Sequence, residues 1–244
     1  MGAGSNAAIQ LAGSTKLAVL GLDGTLYAGT LGMDLLNELA REKLFHPKAL
    51  EQALFALDSY VQGELEREEL AAQIYTVYGE GIVGLTQEQV AHAAAVAWER
   101  NKHRVFPFVK ELLETLTQRG YTTVLMTGSP TEIVTEFTRT YAFDHMYAAG
   151  FQLEGGRYTG QLQFSPGKPG QKRIMLERLS RALDANLEAS LVLGDSVGDF
   201  EMFDLVGVPV ALNVYGPLSL ELQHWGWKQA APDTLLSLLP QWLG

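Results

Sequence analysis

Leu17-Ala18-Val19-Leu20 is an unbroken apolar run that continues through Gly21-Leu22 into Asp23-Gly24-Thr25. Such a run reads as a strand buried on both faces, here 17–22, leading into a tight turn. No second strand pattern follows until about residue 121. In between, apolar residues recur at helical spacing: Leu35, Leu36, Leu39 and Ala40; Leu50, Ala53, Leu54, Leu57 and Val61; Leu70, Ile74, Val77 and Tyr78. Thr86 with Gln89 three positions on forms a capping box for a further helix through Val90 to Trp98. Pro107 opens a helix over 108–119, which Gly120 closes at C′. Strands and helices then alternate: 121–126 extended, 130–141 helical, 146–153 extended, 171–183 helical, 189–193 extended. Gly155-Gly156-Arg157-Tyr158-Thr159-Gly160 reads as a hairpin turn into a short strand. Val208 to Leu212 is a last short strand, and Pro209 suggests that it lies at an edge.

This alternation predicts an α/β fold: a Rossmann-like parallel sheet with helices on both faces. The helical block between the first two strands, roughly 80 residues, is too long for a plain connection and predicts an inserted α-helical cap domain. The expected division is a flexible N-terminus over 1–15, a core over 16–29 and 106–244, and the cap over 30–105.

Composition narrows the setting. At 244 residues, 47% hydrophobic and 19% charged, the chain can bury a full core. Its net charge of −10 and lack of any basic run argue against nucleic acid as a partner. Without Cys there is no disulfide framework and no thiolate chemistry, which suits a cytoplasmic location. The Ala-, Gly- and Ser-rich start lacks the basic and apolar regions of a signal peptide. No apolar run is long enough to span a membrane.

Candidate chemistry lies where the predicted strands end. Asp23-Gly24-Thr25 follows the first, Thr127-Gly128-Ser129-Pro130 the second, and Gly194-Asp195-Ser196-Val197-Gly198-Asp199 the strand at 189–193. Lys168 and Lys172 flank a Pro-Gly turn before a helix. Open α/β sheets bind ligands at these carboxyl ends. Each cluster alone is an ordinary turn or helix start. Together they supply an acid, hydroxyls, backbone donors, a cation and two more carboxylates, which suits a phosphoryl group with Mg²⁺.

In this order the clusters resemble the four motifs of the haloacid dehalogenase superfamily, whose first motif reads Asp-x-Asp-Gly-Thr-Leu after an apolar strand. Thr127-Gly128-Ser129-Pro130, Arg157-Tyr158-Thr159-Gly160, Gly207-Val208-Pro209-Val210-Ala211-Leu212-Asn213 and the Gly226-Trp227 pair resemble its phosphoserine-phosphatase-like branch, and the helical insert resembles a type-one cap. The resemblance implies that Asp23 is the general acid/base, with its backbone carbonyl on Mg²⁺. It implies that Thr127, with Gly128, grips the phosphoryl oxygens, and that a lysine neutralises charge. Lys172 is preferred because Leu176 and Leu179 follow it at helical spacing, with Lys168 as the alternative. Asp195 is implied as a metal ligand, and Asp199 as a ligand or supporting carboxylate.

One position departs from the pattern. The family's first Asp, the nucleophile and a direct Mg²⁺ ligand, is Gly21 in this chain. The expected consequences are loss of the aspartyl-phosphate step and weakened Mg²⁺ binding. Four accounts stay open: a natural pseudoenzyme that binds a phosphorylated small molecule or a protein partner; an active phosphatase altered at position 21; other chemistry through Asp23; or a misaligned motif or purely structural role. Residues 27–32 carry no acid, which disfavours phosphoserine itself as substrate. Tyr60, Tyr75, Tyr78 and Trp98 of the insert read as core rather than as pocket residues.

Overall fold

The computed structural model describes residues 14–215 and 217–243. The N-terminal expectation falls almost wholly outside them. Where the description begins, the Thr15 carbonyl already accepts from the Asn186 N–H at 2.8 Å.

Seven strands form one sheet in the order β4-β3-β2-β1-β5-β6-β7. They are β1 (Lys16–Leu20), β2 (Tyr121–Pro130), β3 (His145–Glu154), β4 (Arg157–Phe164), β5 (Leu191–Gly194), β6 (Val208–Leu212) and β7 (Lys228–Ala230). All pair in parallel except β4, which returns antiparallel to β3 through the Gly155-Gly156 turn. The central strand shows why its sequence is unbroken: Leu17 and Val19 enter one apolar layer, Ala18 and Leu20 the other. A strand covered on both sides cannot alternate apolar with polar.

The helices are α1 (Leu31–Arg41), α2 (Pro47–Val61), α3 (Arg67–Ile82), α4 (Gln87–Asn101), α5 (Val109–Gln118), α6 (Thr131–Thr140), α7 (Gln171–Ala182), α8 (Val197–Phe200), α9 (Pro217–His224) and α10 (Leu235–Trp242). On one face α5, α6 and α10 supply Leu112, Leu116, Phe137 and Leu239; on the other α7 and α9 supply Met175, Leu176 and Leu222. The capping box of α4 forms as expected, with Gln89 N–H donating to Thr86 Oγ1 at 3.2 Å and Thr86 N–H to Gln89 Oε1 at 2.9 Å.

Helices α1 to α4 make up the insert between β1 and β2, and α1 and α4 pack on α6. The Trp98 ring meets Phe137 edge-on at 5.8 Å. Helix α3 docks on β4 where two glycines meet: a Cβ on Gly79 would lie 2.1 Å from the Gly160 carbonyl oxygen. The α3–α4 connection then pairs with the hairpin, Gly84 N–H donating to Tyr158 O and Tyr158 N–H to Leu85 O, each at 2.9 Å. At the root of the insert, Ala28 N–H donates to Arg104 O and Phe106 N–H to Leu26 O. Arg104 Nη1 bridges both oxygens of Asp34 at 3.0 Å, and the Tyr27 hydroxyl donates to the same carboxylate.

Two expectations are corrected. Strand β6 is interior rather than an edge, since β7 pairs with it from Val210 onward. Val208 N–H donates towards β5, at Ser190 O, so the missing donor of Pro209 faces the β7 side. It falls just ahead of the first β7 pair, where no bond is lost. On α2, Leu54 and Val61 do not join the core; Ala49, Ala53 and Ala56 are its buried residues.

Candidate active site

The site is built on the carboxyl ends of β1, β2 and β5. Gly21 continues the ladder of β1, donating its N–H to Leu193 O at 2.9 Å. The turn after it closes when Leu26 N–H reaches Leu22 O at 2.8 Å. Gly24 adopts φ +78° there, and the Asp195 carboxylate presses so close that a Cβ on Gly24 would lie 2.1 Å from Oδ2. Glycine is needed on both counts.

Asp23 is held from three sides. Its Oδ1 accepts from Leu31 N–H at 2.8 Å, the first residue of the insert's first helix. Its Oδ2 accepts from Thr127 Oγ1 at 3.0 Å and from Ser129 Oγ at 2.7 Å. Ser129 Oγ also accepts from Gly32 N–H, so β2 and the insert meet around this one carboxylate. Burial pushes the Asp23 carboxyl above the ordinary value; the bonds from Leu31, Ser129 and Thr127 and the charge of Lys172 oppose that push.

Burial distinguishes the two lysines. Lys172, in the first turn of α7, is buried and donates Nζ to Asp199 Oδ1 at 2.6 Å; Lys168 lies exposed in the preceding loop. The second oxygen of Asp199 accepts from Ser196 Oγ at 2.7 Å. Asp195 Oδ1 accepts from Thr25 Oγ1 at 2.7 Å. Gly21 faces these groups: a Cβ there would meet Thr25 Oγ1 at 2.8 Å and Asp199 Oδ1 at 3.1 Å. The Thr25 hydroxyl occupies the space where a side chain at position 21 would begin.

Mg²⁺, implied by the resemblance, finds a poor donor set. The side-chain oxygens of Asp23 and Asp199 and Oδ1 of Asp195 are engaged by protein donors, and Gly21 adds none. Among the described residues no group of three or more His, Cys, Asp or Glu stands together as a metal centre. The residues present lack one carboxylate that the resemblance implies, so they fit Mg²⁺ less well than the full motif would.

Three contributors lay outside the candidates read from the sequence. Thr25 and Ser129 are buried hydroxyls inside the recognised clusters, and only their bonds reveal their part. Tyr75, read as core, reaches across from α3 and donates its hydroxyl to Gly128 O at 3.0 Å. Its ring tip sits over both Gly128 and Gly167, where added Cβ atoms would lie 2.2 and 1.9 Å from the hydroxyl oxygen. Burial raises its pKa, the nearby Asp23 charge adds to the rise and a Ser165 hydrogen bond opposes it. Thus Gly128, expected at a phosphoryl group, has Tyr75 against it.

A parallel α/β core with a helical insert after its first strand, and with acid, hydroxyl, lysine and carboxylate clusters at successive strand ends, defines a class of phosphoryl-handling scaffolds. The profile of the haloacid dehalogenase-like hydrolases matches residues 18–204, and the chain belongs to that family. Within it, the chain is similar to phosphoserine phosphatases and to a phosphoglycolate phosphatase. A phosphoserine phosphatase of Streptomyces coelicolor is 24% identical over 93% of this chain and 56% of its own length. A phosphoglycolate phosphatase of Aliivibrio fischeri is 26% identical over 82% of this chain and 85% of its own. The chain spans about half the length of the first curated phosphoserine phosphatases it matches. Among solved structures, a Bordetella pertussis Tohama I protein of unknown function superposes with TM-score 0.74 at 20% identity, covering 89% of this chain and 99% of that one. A phosphoserine phosphatase in a phospho-aspartyl intermediate analogue gives 0.64 at 19% identity, over 91% and 98%. Among the described residues no helix is long and apolar enough to cross a membrane.

Proposed function

We propose that this chain is a phosphatase scaffold that holds a phosphorylated small molecule without turning it over. One observation carries the reading: at the nucleophile's position there is no side chain, and the Thr25 hydroxyl and Asp199 carboxylate crowd the space above Gly21. Asp23 is no substitute. Three donors hold its carboxylate in the turn beyond the strand, and in-line attack would need those bonds broken. Loss of a covalent nucleophile costs several orders of magnitude in rate. Groups able to meet a phosphoryl group remain in Thr127, Ser129 and Lys172, whose charge is at present shared with Asp199. Removing a carboxylate from position 21 also removes its repulsion of a phosphate dianion.

Tyr75 against Gly128 favours a second reading, in which the chain binds a protein partner and ignores phosphate. Two measurements separate the readings. The first is hydrolysis of an aryl phosphate with added Mg²⁺ by this chain and by Gly21→Asp. We expect no turnover above background from the chain itself, and robust turnover would defeat the silent reading. A gain in Gly21→Asp would show that the remaining groups can still work. The second is thermal stability with inorganic phosphate or vanadate. Protection is expected, and a flat response would hand the case to the partner reading.

A further inference from the structure

We propose that the α2–α3 hairpin of the insert is a docking surface for a basic amphipathic helix of another protein. The inference stands independently of whether the site holds phosphate. Helix α2 packs Leu50 against the core but leaves much of its large apolar surface outside. It buries Ala49, Ala53 and Ala56 and sets Leu54, Phe55 and Val61 in solvent at 58%, 72% and 78% exposure. An amphipathic helix ordinarily points its large apolar residues inward, and exposed apolar patches of this kind mark interaction sites. Phe55 also walls a groove between the two helices, with Ala72, Thr76 and Val77 of α3 on the other side. A groove between two helices with an aromatic anchor on its wall, beside further exposed apolar residues, is a form that receives a third helix.

Charge selects the occupant. Glu51 and Asp58 lie three or four positions from Leu54 and Phe55, so acids interleave with the apolar anchors on one side of α2. Residues 47–82 carry seven acids against two bases, half of the whole chain's net charge of −10. A second copy would bring the same acids against these, and an anionic membrane or nucleic acid would be repelled likewise. A helix with a leucine stripe and lysine or arginine flanks meets both the groove and its rim.

The test uses a fluorescently labelled 18-residue Leu/Lys amphipathic helix as probe, with two controls: a scrambled peptide of equal composition and a Leu/Glu counterpart. Binding is followed by anisotropy against the intact chain, Phe55→Glu, and Leu220→Glu on α9, with circular dichroism to show that each variant is folded. Leu220 is 67% exposed, so both substitutions add the same charge at exposed positions. We expect the Leu/Lys helix to bind the chain and Leu220→Glu alike, and the scrambled and acidic peptides to bind far more weakly. Phe55→Glu should bind on the order of tenfold more weakly although it is more acidic, as expected of a central anchor. Equal affinity for Phe55→Glu, equal affinity for the scrambled peptide, or no binding would each overturn the proposal. So would a concentration-dependent dimer that Phe55→Glu dissolves, because that result assigns the face to a second copy.

Discussion

Asp23 binds its proton more tightly in the fold than in the unfolded chain, because burial disfavours its charged form more than its hydrogen bonds favour it. A carboxyl with a raised folded pKa contributes stability that is fully present below its ordinary value of 3.8 and is lost as pH rises through the folded value. Asp23→Asn removes that loss and keeps an acceptor for Leu31 N–H. The melting temperature of Asp23→Asn relative to the parent, measured in EDTA across pH 3–8, should therefore rise with pH and then level off. A difference constant with pH would mean that the carboxyl does not titrate as burial implies. At this scale much was legible. Gly21, Asp23 and Lys172 were singled out from sequence order, and the fold brings all three to the carboxyl end of the sheet, around Thr25, Thr127 and Asp199. The Thr25 hydroxyl against position 21 and Tyr75 reaching Gly128 were not legible, because both depend on rotamers and on contacts with no periodic trace.

Elements were readable where period and punctuation agreed. Thr86 and Gln89 made their capping box, and Gly155-Gly156 made the hairpin. Readings failed where a neighbour decided the outcome: Pro209 sits beside a three-residue strand, Lys228–Ala230, too short to show a pattern of its own. Helix α2 carries a helical period, yet its fully buried residues are alanines, with Leu54 and Val61 outside. The seat of α3 on β4 is a similar case, since glycines within a helix read as weak points rather than as contacts. Here Gly79 lets the backbones meet, and a methyl at that position would strike the Gly160 carbonyl. Gly79→Ala should cost about 3 kcal/mol, as overpacking against rigid backbone does, lowering the melting temperature by roughly 6–12 °C. Gly150→Ala, in β3 with open space around it, is the matched control and should change stability by no more than about 0.5 kcal/mol. Equal melting temperatures for the two variants would show that α3 is not seated through this contact.

Across the whole molecule, the insert and the sheet share one apolar cluster, with Leu35, Leu39, Ala97 and Trp98 packed among Leu125, Ile133 and Phe137. The insert is also tied to the core at separate places: the Arg104–Asp34 pair at its root, the Gly84 and Leu85 pairing with the hairpin, and Tyr75 on Gly128. A lid swinging as one body about its root would have to break all of these together. Local opening of the weakest piece costs far less, and cooperative units differ in stability within one fold. That piece is α2, whose fully buried residues are all alanines, each worth much less than a buried leucine. Amide hydrogen exchange should therefore find residues 47–61 exchanging at least on the order of tenfold faster than 31–41 and 87–101, with the latter two as slow as the sheet. Uniform exchange through all four helices of the insert, faster than the sheet, would instead describe a rigid lid. The order of exchange thus decides how a ligand reaches a site that the insert covers: by loosening one arm, with α1 and α4 remaining part of the core.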